Sequence, residues 1–177
     1  WSSDVCSSDL FKRKVQKKNI ESLILRSDLT EVEGLDNLHN PKGAIKEAEE
    51  LLAQYYNSTK SYFLVNGSTS GNMAMIFSSL EEGDKILVER NCHKSIFNAI
   101  IMRKLNPIYL VNQLDKEFNA PLGIDISNLK EIIKEHKDIK AIIVTYPNYY
   151  GVCCNLEYIV KVCKENDIKV LVDEIGR

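Results

Sequence analysis

A glycine- and hydroxyl-rich segment, Gly67-Ser68-Thr69-Ser70-Gly71, joins an apolar run to the start of a predicted helix. Free backbone amides at a helix N-terminus, the helix dipole and three hydroxyls together suit an anion. The pattern is neither GxGxxG nor GxxxxGKS/T, so a dinucleotide or a nucleoside triphosphate is not favoured. A polar loop that only caps its helix explains the same residues equally well, and the residue types leave both interpretations open.

The segment Asn91-Cys92-His93-Lys94-Ser95 places an imidazole and an ammonium just beyond another predicted strand. A lone histidine is most often structural or solvated. Metal binding lacks partners, because His39, His93 and His136 are far apart in sequence and no HxxxH pattern exists. A nucleophilic Cys92 beside His93 is disfavoured, since the side chains of adjacent residues usually point apart.

Asp173 follows the apolar run Lys169-Val170-Leu171-Val172, which places a carboxylate at the end of a buried strand. Burying a charge without a partner costs on the order of several kcal/mol of folding free energy, so a buried charge is normally paired. Asp173 could therefore neutralise a cationic ligand atom, a metal ion or a neighbouring arginine. A role like that of the Walker B aspartate would need a P-loop, which the sequence lacks.

Hydrophobic periodicity predicts that strands alternate with amphipathic helices. The predicted strands cover residues 62–65, 85–88, 107–111, 141–145 and 168–172. The predicted helices cover 44–55, 73–80, 95–105, 127–136 and 155–166. Asn40 is the predicted N-cap of the first helix, with Pro41 in its first turn, and Ser127 is the predicted cap of the fourth. Residues 29–43 and 112–123 are predicted to be connections. We expect the first helix to pack one face on a core.

This alternation of elements, with strands rich in β-branched residues, predicts an α/β fold with a largely parallel sheet buried on both faces. Right-handed crossovers then place the carboxyl ends of the strands along one edge, where ligands of open α/β sheets bind. The loops that follow the strands carry the candidate residues; they are 66–72, 90–95, 146–151 and 173–174.

The composition excludes several classes of protein. The chain has 177 residues, 44% apolar, with 23 basic and 25 acidic residues and a net charge of −2. This apolar fraction can fill a core, and the near-neutral charge argues against nucleic acid or a membrane surface as partner. No apolar run approaches the roughly 20 residues of a membrane span. Five cysteines without regular spacing suggest reduced thiols and a cytoplasmic protein.

The two ends differ in composition from the rest of the chain. Residues 1–10 are rich in serine and aspartate, lack the features of a signal peptide, and resemble a translated sequencing adapter. Residues 175–177 resemble the same adapter in the opposite orientation. We therefore expect residues 11–174 to be native and to form the N-terminal part of one domain.

Five segments, in this order and spacing, resemble the major domain of the Orn/Lys/Arg decarboxylases, which are fold-type-I pyridoxal-phosphate (PLP) enzymes. They are Asp28-Leu29-Thr30-Glu31, Leu38-His39-Asn40-Pro41-Lys42-Gly43, Asn66-Gly67-Ser68-Thr69-Ser70-Gly71-Asn72, Arg90-Asn91-Cys92-His93-Lys94-Ser95 and Val172-Asp173-Glu174. The resemblance runs from about Phe11 to Glu174. It implies an incomplete three-layer α/β domain like that of aspartate aminotransferase.

The resemblance also implies a role for each candidate residue. Asp173 would pair with the protonated pyridine nitrogen, whose pKa an adjacent anion raises, and His93 would stack on the ring. The remaining implied cofactor contacts are Ser68, Thr69 and Ser70 to the phosphate and Thr145 or Asn148 to the ring substituents. His39 would lie near the mouth of the active site. No metal is implied, and the partners would be an amino-acid substrate and a second copy of the chain in a homodimer or larger homo-oligomer.

In the family, the Schiff-base lysine lies downstream of the matched segments, and Lys94 is not used for this purpose. We therefore expect the whole protein to decarboxylate arginine, lysine or ornithine in polyamine-related metabolism, and this polypeptide alone to be inactive. Another fold-type-I PLP enzyme, such as an aminotransferase or acyltransferase, remains an alternative, as does a non-catalytic PLP-fold regulatory protein. A Rossmann-type nucleotide binder is the weakest alternative, since its glycine pattern is missing.

Overall fold

A computed structural model describes residues 35–174 and divides the chain into two compact units, with the boundary after Phe63. The predictions for residues 1–34 and 175–177, which include the two adapter-like ends, lie outside the described residues. Among residues 35–174, the helices are too short to cross a membrane.

The described part of the first unit contains one helix, α1 (Ala44–Tyr55). The predicted N-cap Asn40 is wrong: Gly43 takes the N-cap position, and its side chain cannot cap. The carboxylate of Asp36 caps the helix instead. It accepts the backbone N–H groups of Lys42, Gly43 and Ile45 at 2.8, 2.9 and 2.8 Å. The start of α1 is therefore set by an aspartate outside the helix.

Among the described residues, α1 buries less of its apolar face than expected for a helix that packs one face on a core. Ala53 is buried and Leu52 half-buried, whereas Leu51 and Tyr55 are exposed. The predicted strand at 62–65 is also wrong, because a strand exists only by pairing, and none of the described segments pairs with these residues. Their apolar side chains remain exposed.

The second unit is built on a four-stranded parallel sheet in the order β2-β1-β5-β6. Its strands are β1 (Lys85–Glu89), β2 (Asn106–Leu110), β5 (Ile139–Thr145) and β6 (Lys169–Asp173). The helices are α2 (Gly67–Ser79), α3 (Lys94–Arg103), α4 (Ile126–Glu135) and α5 (Leu156–Glu165). The predicted α/β class and parallel sheet are confirmed.

Two hydrophobic cores cover the two faces of the sheet. On one face, Ile76 of α2 and Ile96 of α3 pack against Ile143 and Leu171. On the other face, Leu129 of α4 and Ile159 of α5 pack with Leu87 and Val144. The helix–sheet–helix arrangement gives three layers, as the resemblance implied.

Local departures from the predictions concern the connection before α4. A hairpin of β3 (Asn112–Leu114) and β4 (Pro121–Ile124) lies in the predicted connection. In β4, a Cβ on Gly123 would lie 3.3 Å from the Cα of Cys154, so this close approach favours glycine. The cap of α4 is Asp125 rather than Ser127, because the longer carboxylate reaches the N–H groups of the first turn at 2.8 and 3.3 Å.

Candidate active site at the carboxyl edge of the sheet

Thr145 and Asp173 end the neighbouring strands β5 and β6 and lie directly opposite one another in the parallel register. Side chains alternate along a strand, and Ile143 and Leu171, two residues earlier, belong to the core under α2 and α3. Thr145 and Asp173 therefore point to the same face as those helices. Both are buried, with 4% and 6% of their surface exposed.

Neither of these two side chains has its hydrogen-bonding needs met by residues 35–174. The Thr145 Oγ1 is buried without a partner. The Asp173 carboxylate takes part in none of the hydrogen bonds and salt bridges within this part of the chain. Its backbone carbonyl accepts the Tyr146 N–H at 3.0 Å. Buried polar groups are normally hydrogen-bonded, so this pair is suited to a ligand that donates to both.

The start of α2 is the predicted anion site. Gly67 has φ +65°, a left-handed conformation that glycine adopts without strain. The side chain of the N-cap residue Asn66 makes no capping hydrogen bond, so the first amides of the helix remain open to an anion. Ser68 and Thr69 are exposed, whereas the Ser70 hydroxyl donates to the Gly67 carbonyl at 2.9 Å. Ser68 and Thr69 thus have freer hydroxyls than Ser70.

His93 occupies the N-cap position of α3 and is exposed. Its Nδ1 accepts the backbone N–H of Ser95 at 3.2 Å and lies 2.8 Å from the Ser95 hydroxyl. The same hydroxyl oxygen accepts from Asn72 Nδ2 at 3.0 Å. A hydrogen-bonded chain therefore links His93 to the second turn of α2. The sequence did not predict this chain, because its members are 23 residues apart.

Glu89 is a second buried carboxyl at this edge, 2% exposed, and is not among the residues predicted from the sequence. Leu87, two residues earlier, belongs to the core under α4 and α5, so Glu89 points to the opposite face from Asp173. Burial raises the pKa of Glu89 to about 7, while the Thr145 backbone N–H, which donates to the carboxylate, lowers the pKa. An acidic residue at the end of an otherwise apolar strand was the available signal.

The cysteines of this region are poor nucleophiles. Burial, together with the nearby charges of Glu89 and Asp173, raises the pKa of the Cys92 thiol to about 12. Burial raises the pKa of Cys154 to about 11, again with a contribution from Glu89. Since the thiolate is the reactive form, the geometry gives no support to a nucleophilic Cys92.

The loop after β5 is held by Asn148, which is 5% exposed. Its Oδ1 accepts the N–H groups of Tyr150 and Val152 at 3.0 and 2.9 Å, and its Nδ2 donates to the Pro121 carbonyl at 3.1 Å. Its role as a cofactor contact stays a prediction, and most of its hydrogen-bonding capacity is already used by the loop. By contrast, the buried side-chain amide of Asn91 has no hydrogen-bond partner among residues 35–174.

Comparison with known proteins decides the family. A sequence model of the Orn/Lys/Arg decarboxylase major domain matches residues 12–175, which is most of the chain. The chain belongs to this family. The resemblance stated from the motifs is thereby confirmed.

Curated proteins are similar to this chain over most of its length. The uncharacterized protein YaaO of Bacillus subtilis is 45% identical over 157 residues, covering 89% of this chain and 33% of that protein. The arginine decarboxylase of Bacillus cereus is 41% identical over 150 residues, covering 85% and 33%. The chain therefore spans about one third of the length of these relatives.

Solved structures of the Orn/Lys/Arg decarboxylase family share the fold. Lysine decarboxylase A from Pseudomonas aeruginosa has a TM-score of 0.63 and 29% identity, covering 73% of this chain and 19% of that chain. The constitutive lysine decarboxylase of Escherichia coli has a TM-score of 0.61 at 21% identity, covering 74% and 20%. Aminotransferases match as well; that of Pyrococcus horikoshii has a TM-score of 0.52 and 21% identity over 62% of this chain and 28% of that chain. The predicted aminotransferase-like fold is confirmed.

The residues of the decarboxylase major domain fit a PLP-like molecule at the carboxyl edge. Such a molecule has a phosphate, a ring hydroxyl and a protonated ring nitrogen. The start of α2 offers open amides for an anion, and Asp173 offers a buried acceptor. Thr145 Oγ1 is an orphaned buried hydroxyl beside it. His39 is exposed in the first unit, and Lys94 is exposed at the start of α3.

Proposed function

We propose that the whole protein to which this chain belongs is a PLP-dependent decarboxylase of a basic amino acid: arginine, lysine or ornithine. The family match over residues 12–175 supports the reaction class, and relatives of the chain are named arginine and lysine decarboxylases. The observation that carries the proposal is the buried Asp173 carboxylate, which the described residues leave without a hydrogen bond at the edge of the sheet where ligands bind.

Asp173 would hold the proton on the pyridine nitrogen of the cofactor, because an adjacent carboxylate stabilises the protonated form of a base. PLP, when bound, accepts electron density from the α-carbon of an amino acid into its ring. A protonated ring nitrogen strengthens this capacity, so Asp173 would be a catalytic residue.

The start of α2 would bind the cofactor phosphate. Its open backbone amides and the exposed hydroxyls of Ser68 and Thr69 supply donors, and the helix dipole favours the negative charge. Ser70 would contribute its backbone more than its hydroxyl, which the Gly67 carbonyl already engages. These contacts would fix one end of the cofactor.

His93 would stack on the ring, and Thr145 or Asn148 would contact the ring substituents. Two fixed ends and a stacked face define the ring plane, which matters because the bond to the departing carboxylate must stand perpendicular to that plane. Positioning of this kind can contribute several powers of ten to a rate. Thr145 is the better candidate of the two, since its hydroxyl has no other partner in the described chain.

We further propose that the whole protein acts as a cytoplasmic homodimer or larger homo-oligomer, in polyamine-related metabolism. The 177-residue polypeptide by itself would not decarboxylate an amino acid, since the resemblance places the Schiff-base lysine beyond the matched segments. Measurable decarboxylation by the isolated polypeptide would contradict this part of the proposal.

The test uses the whole protein, supplied with PLP and with arginine, lysine or ornithine in turn. We expect one of these three amino acids to yield carbon dioxide and the amine that corresponds to it. No keto acid should form. An aminotransferase would instead consume a keto acid and release no carbon dioxide. A protein that develops the yellow absorbance of bound PLP but transforms none of the substrates would support a regulatory role and overturn the proposal.

A further inference from the structure

The orientation of His93 is determined by groups that the proposed function does not itself use. The backbone N–H of Ser95 points to His93 Nδ1 at 3.2 Å. A backbone N–H can only donate, so Nδ1 must be the acceptor nitrogen of the ring. In a neutral imidazole, the proton then lies on Nε2.

The Ser95 hydroxyl agrees with this assignment. It lies 2.8 Å from the same Nδ1, whose lone pair can only accept, so the hydroxyl must donate its proton there. Its oxygen is then left with lone pairs, and Asn72 Nδ2 donates to it at 3.0 Å. Each of these three hydrogen bonds thus pairs a donor with an acceptor, and their directions follow from one backbone group.

Burial makes this chain rigid. Asn72 and Ser95 are only 4% and 2% exposed, so water does not compete for their polar atoms. The lone pair of Nδ1 lies in the plane of the imidazole, so two donors that meet at it also define that plane. Asn72 belongs to α2, the helix whose first turn is the candidate phosphate site, and α2 packs against α3.

We propose that Asn72 and Ser95 are positioning residues that hold the His93 imidazole in its Nε2–H form and fix its ring plane relative to α2. The consequence for the site rests on the proposed function: the stacking ring and the phosphate-binding turn are then one rigid unit. The proton position itself does not depend on a bound cofactor.

The first test measures the proton position directly. In protein labelled with ¹⁵N in its imidazoles, two-bond ¹H–¹⁵N correlation spectra at mildly alkaline pH distinguish Nε2–H from Nδ1–H rings, and the signal that disappears in His93→Gln belongs to His93. We expect the Nε2–H pattern in the cofactor-free protein. A dominant Nδ1–H pattern for His93 would overturn the proposal without any further variant.

Two variants test the chain of donors. Ser95→Ala removes the hydroxyl donor, and we expect the ratio of Nε2–H to Nδ1–H to fall about fivefold to tenfold, the weight of one net hydrogen bond. Asn72→Asp replaces the donor by an acceptor, which captures the Ser95 proton and leaves an oxygen lone pair facing Nδ1. We expect this variant to shift the ratio toward Nδ1–H further than Ser95→Ala does, although the Ser95 backbone N–H still donates to Nδ1 and opposes the shift. Ser95→Thr retains the hydroxyl and should restore the wild-type pattern.

The matched control is Ser78→Ala, which removes an exposed hydroxyl from the same helix α2. Within the described part of the chain, this hydroxyl donates to the Met75 carbonyl alone. The substitution should leave the His93 pattern unchanged. If Asn72→Asp does not fold, Ser95→Ala still decides, and an unchanged His93 pattern in folded Ser95→Ala would overturn the proposal.

A PLP titration of the same samples separates this inference from the proposed function. If wild-type protein shows the Nε2–H ring but binds no PLP, the proposed function fails and the positioning role stands. If it binds PLP, Asn72→Asp should weaken binding about threefold to tenfold. Binding that is unchanged in Asn72→Asp, despite a moved proton, would overturn the role of the network in the site.

Discussion

Thr145 and Asp173 are opposite one another at the ends of two neighbouring parallel strands, and both point under α2 and α3. Within residues 35–174, the hydroxyl of Thr145 is buried without a partner, and no hydrogen bond or salt bridge involves the carboxylate of Asp173, which is a buried residue. Buried polar groups are normally hydrogen-bonded. The position of these two residues at the carboxyl edge favours ligand binding over a structural role.

Asp173→Asn should separate these two roles. With the whole protein, we expect turnover to fall by about a hundredfold or more, comparable to the loss of one preorganised electrostatic group, and PLP affinity to fall with it. The thermal unfolding midpoint of the cofactor-free protein should not decrease, because no hydrogen bond within residues 35–174 depends on this carboxylate. Enzyme assays, PLP titration and a thermal melt measure the three quantities.

The matched control for Asp173→Asn is Asp167→Asn, the same substitution just before the other end of β6. Asp167 is exposed and has φ +56°, which asparagine also tolerates. Neither turnover nor the melting midpoint should change. A large loss of stability in Asp173→Asn, with no specific loss of PLP affinity, would show that the carboxylate supports the fold.

Glu89 should make stability depend on pH in the direction opposite to most carboxylates. Its pKa is raised from 4.5 to about 7 by burial, so between these values the folded state binds a proton that the unfolded state has lost. The contribution of Glu89 to the free energy of unfolding is therefore greatest below about pH 4.5 and decreases as pH rises to about 7. The total change is on the order of 3 kcal/mol.

Glu89→Gln removes the ionisable group but keeps an oxygen that can accept the Thr145 N–H. We expect urea unfolding to show a flatter pH profile, and the variant to be more stable than wild type above this range. Glu131→Gln, at an exposed position of α4, serves as the control and should retain the wild-type slope. A slope that survives in Glu89→Gln would assign the pH dependence to other groups.

Several elements could be predicted because their residues carry the local signal themselves. The runs at 85–88 and 141–145 are apolar and β-branched, and they became central strands with the predicted bounds to within two residues. The run at 62–65 has a similar composition but no neighbour to pair with among the described residues. A strand therefore depends on a partner that its own sequence does not contain.

The candidate site shows the same limit. The place of Asp173 at a strand end follows from the alternation of elements, whereas Thr145 is implied, with Asn148 as the alternative, only by the family resemblance. Asn72 and Ser95 could not be predicted. Their hydrogen bond joins residues 23 apart in sequence and forms only because α2 packs against α3. Asp36 could not be predicted for a related reason, since its loop must fold back before its carboxylate can reach α1.

Asp36 should hold the start of α1 only while its carboxylate is ionised. Its pKa is lowered from 3.8 to about 2, first by the backbone N–H of Lys42 and also by those of Ile45 and Gly43. The stabilisation is therefore complete above about pH 3.8 and is lost as pH falls to about 2. Asp36→Asn should lose the bonds to Gly43 and Ile45 at all pH values and increase amide exchange in the first turn of α1.

The control for Asp36 is Glu50→Gln in the same helix, which removes an exposed pair with Lys46 at 3.9 Å. Exposed pairs of this kind contribute little, so exchange at the start of α1 should stay close to wild type. Equal effects of the two substitutions would point to general electrostatics of the helix instead of capping by Asp36.

Thiol labelling should distinguish a buried structural Cys92 from a nucleophile. The pKa of Cys92 is raised from 9.0 to about 12, which makes its thiolate fraction at neutral pH about a thousandfold smaller than that of an ordinary cysteine. Cys163 is also buried, with a pKa raised to about 11. Cys153 is exposed, so among the described cysteines it should react first with iodoacetamide.

Mass spectrometry of the labelled peptides measures each rate, and Cys153→Ser should remove the fast reaction while leaving Cys92 unlabelled until the protein is unfolded. The nucleophile hypothesis requires the reverse order, because a catalytic cysteine needs both an accessible sulfur and a stabilised thiolate. Cys92 has neither: it is buried, and both nearby carboxyls, Glu89 and Asp173, oppose its ionisation. Fast labelling of Cys92 in the native protein would therefore contradict the packing of this edge as well as the assignment of its chemistry to Asp173.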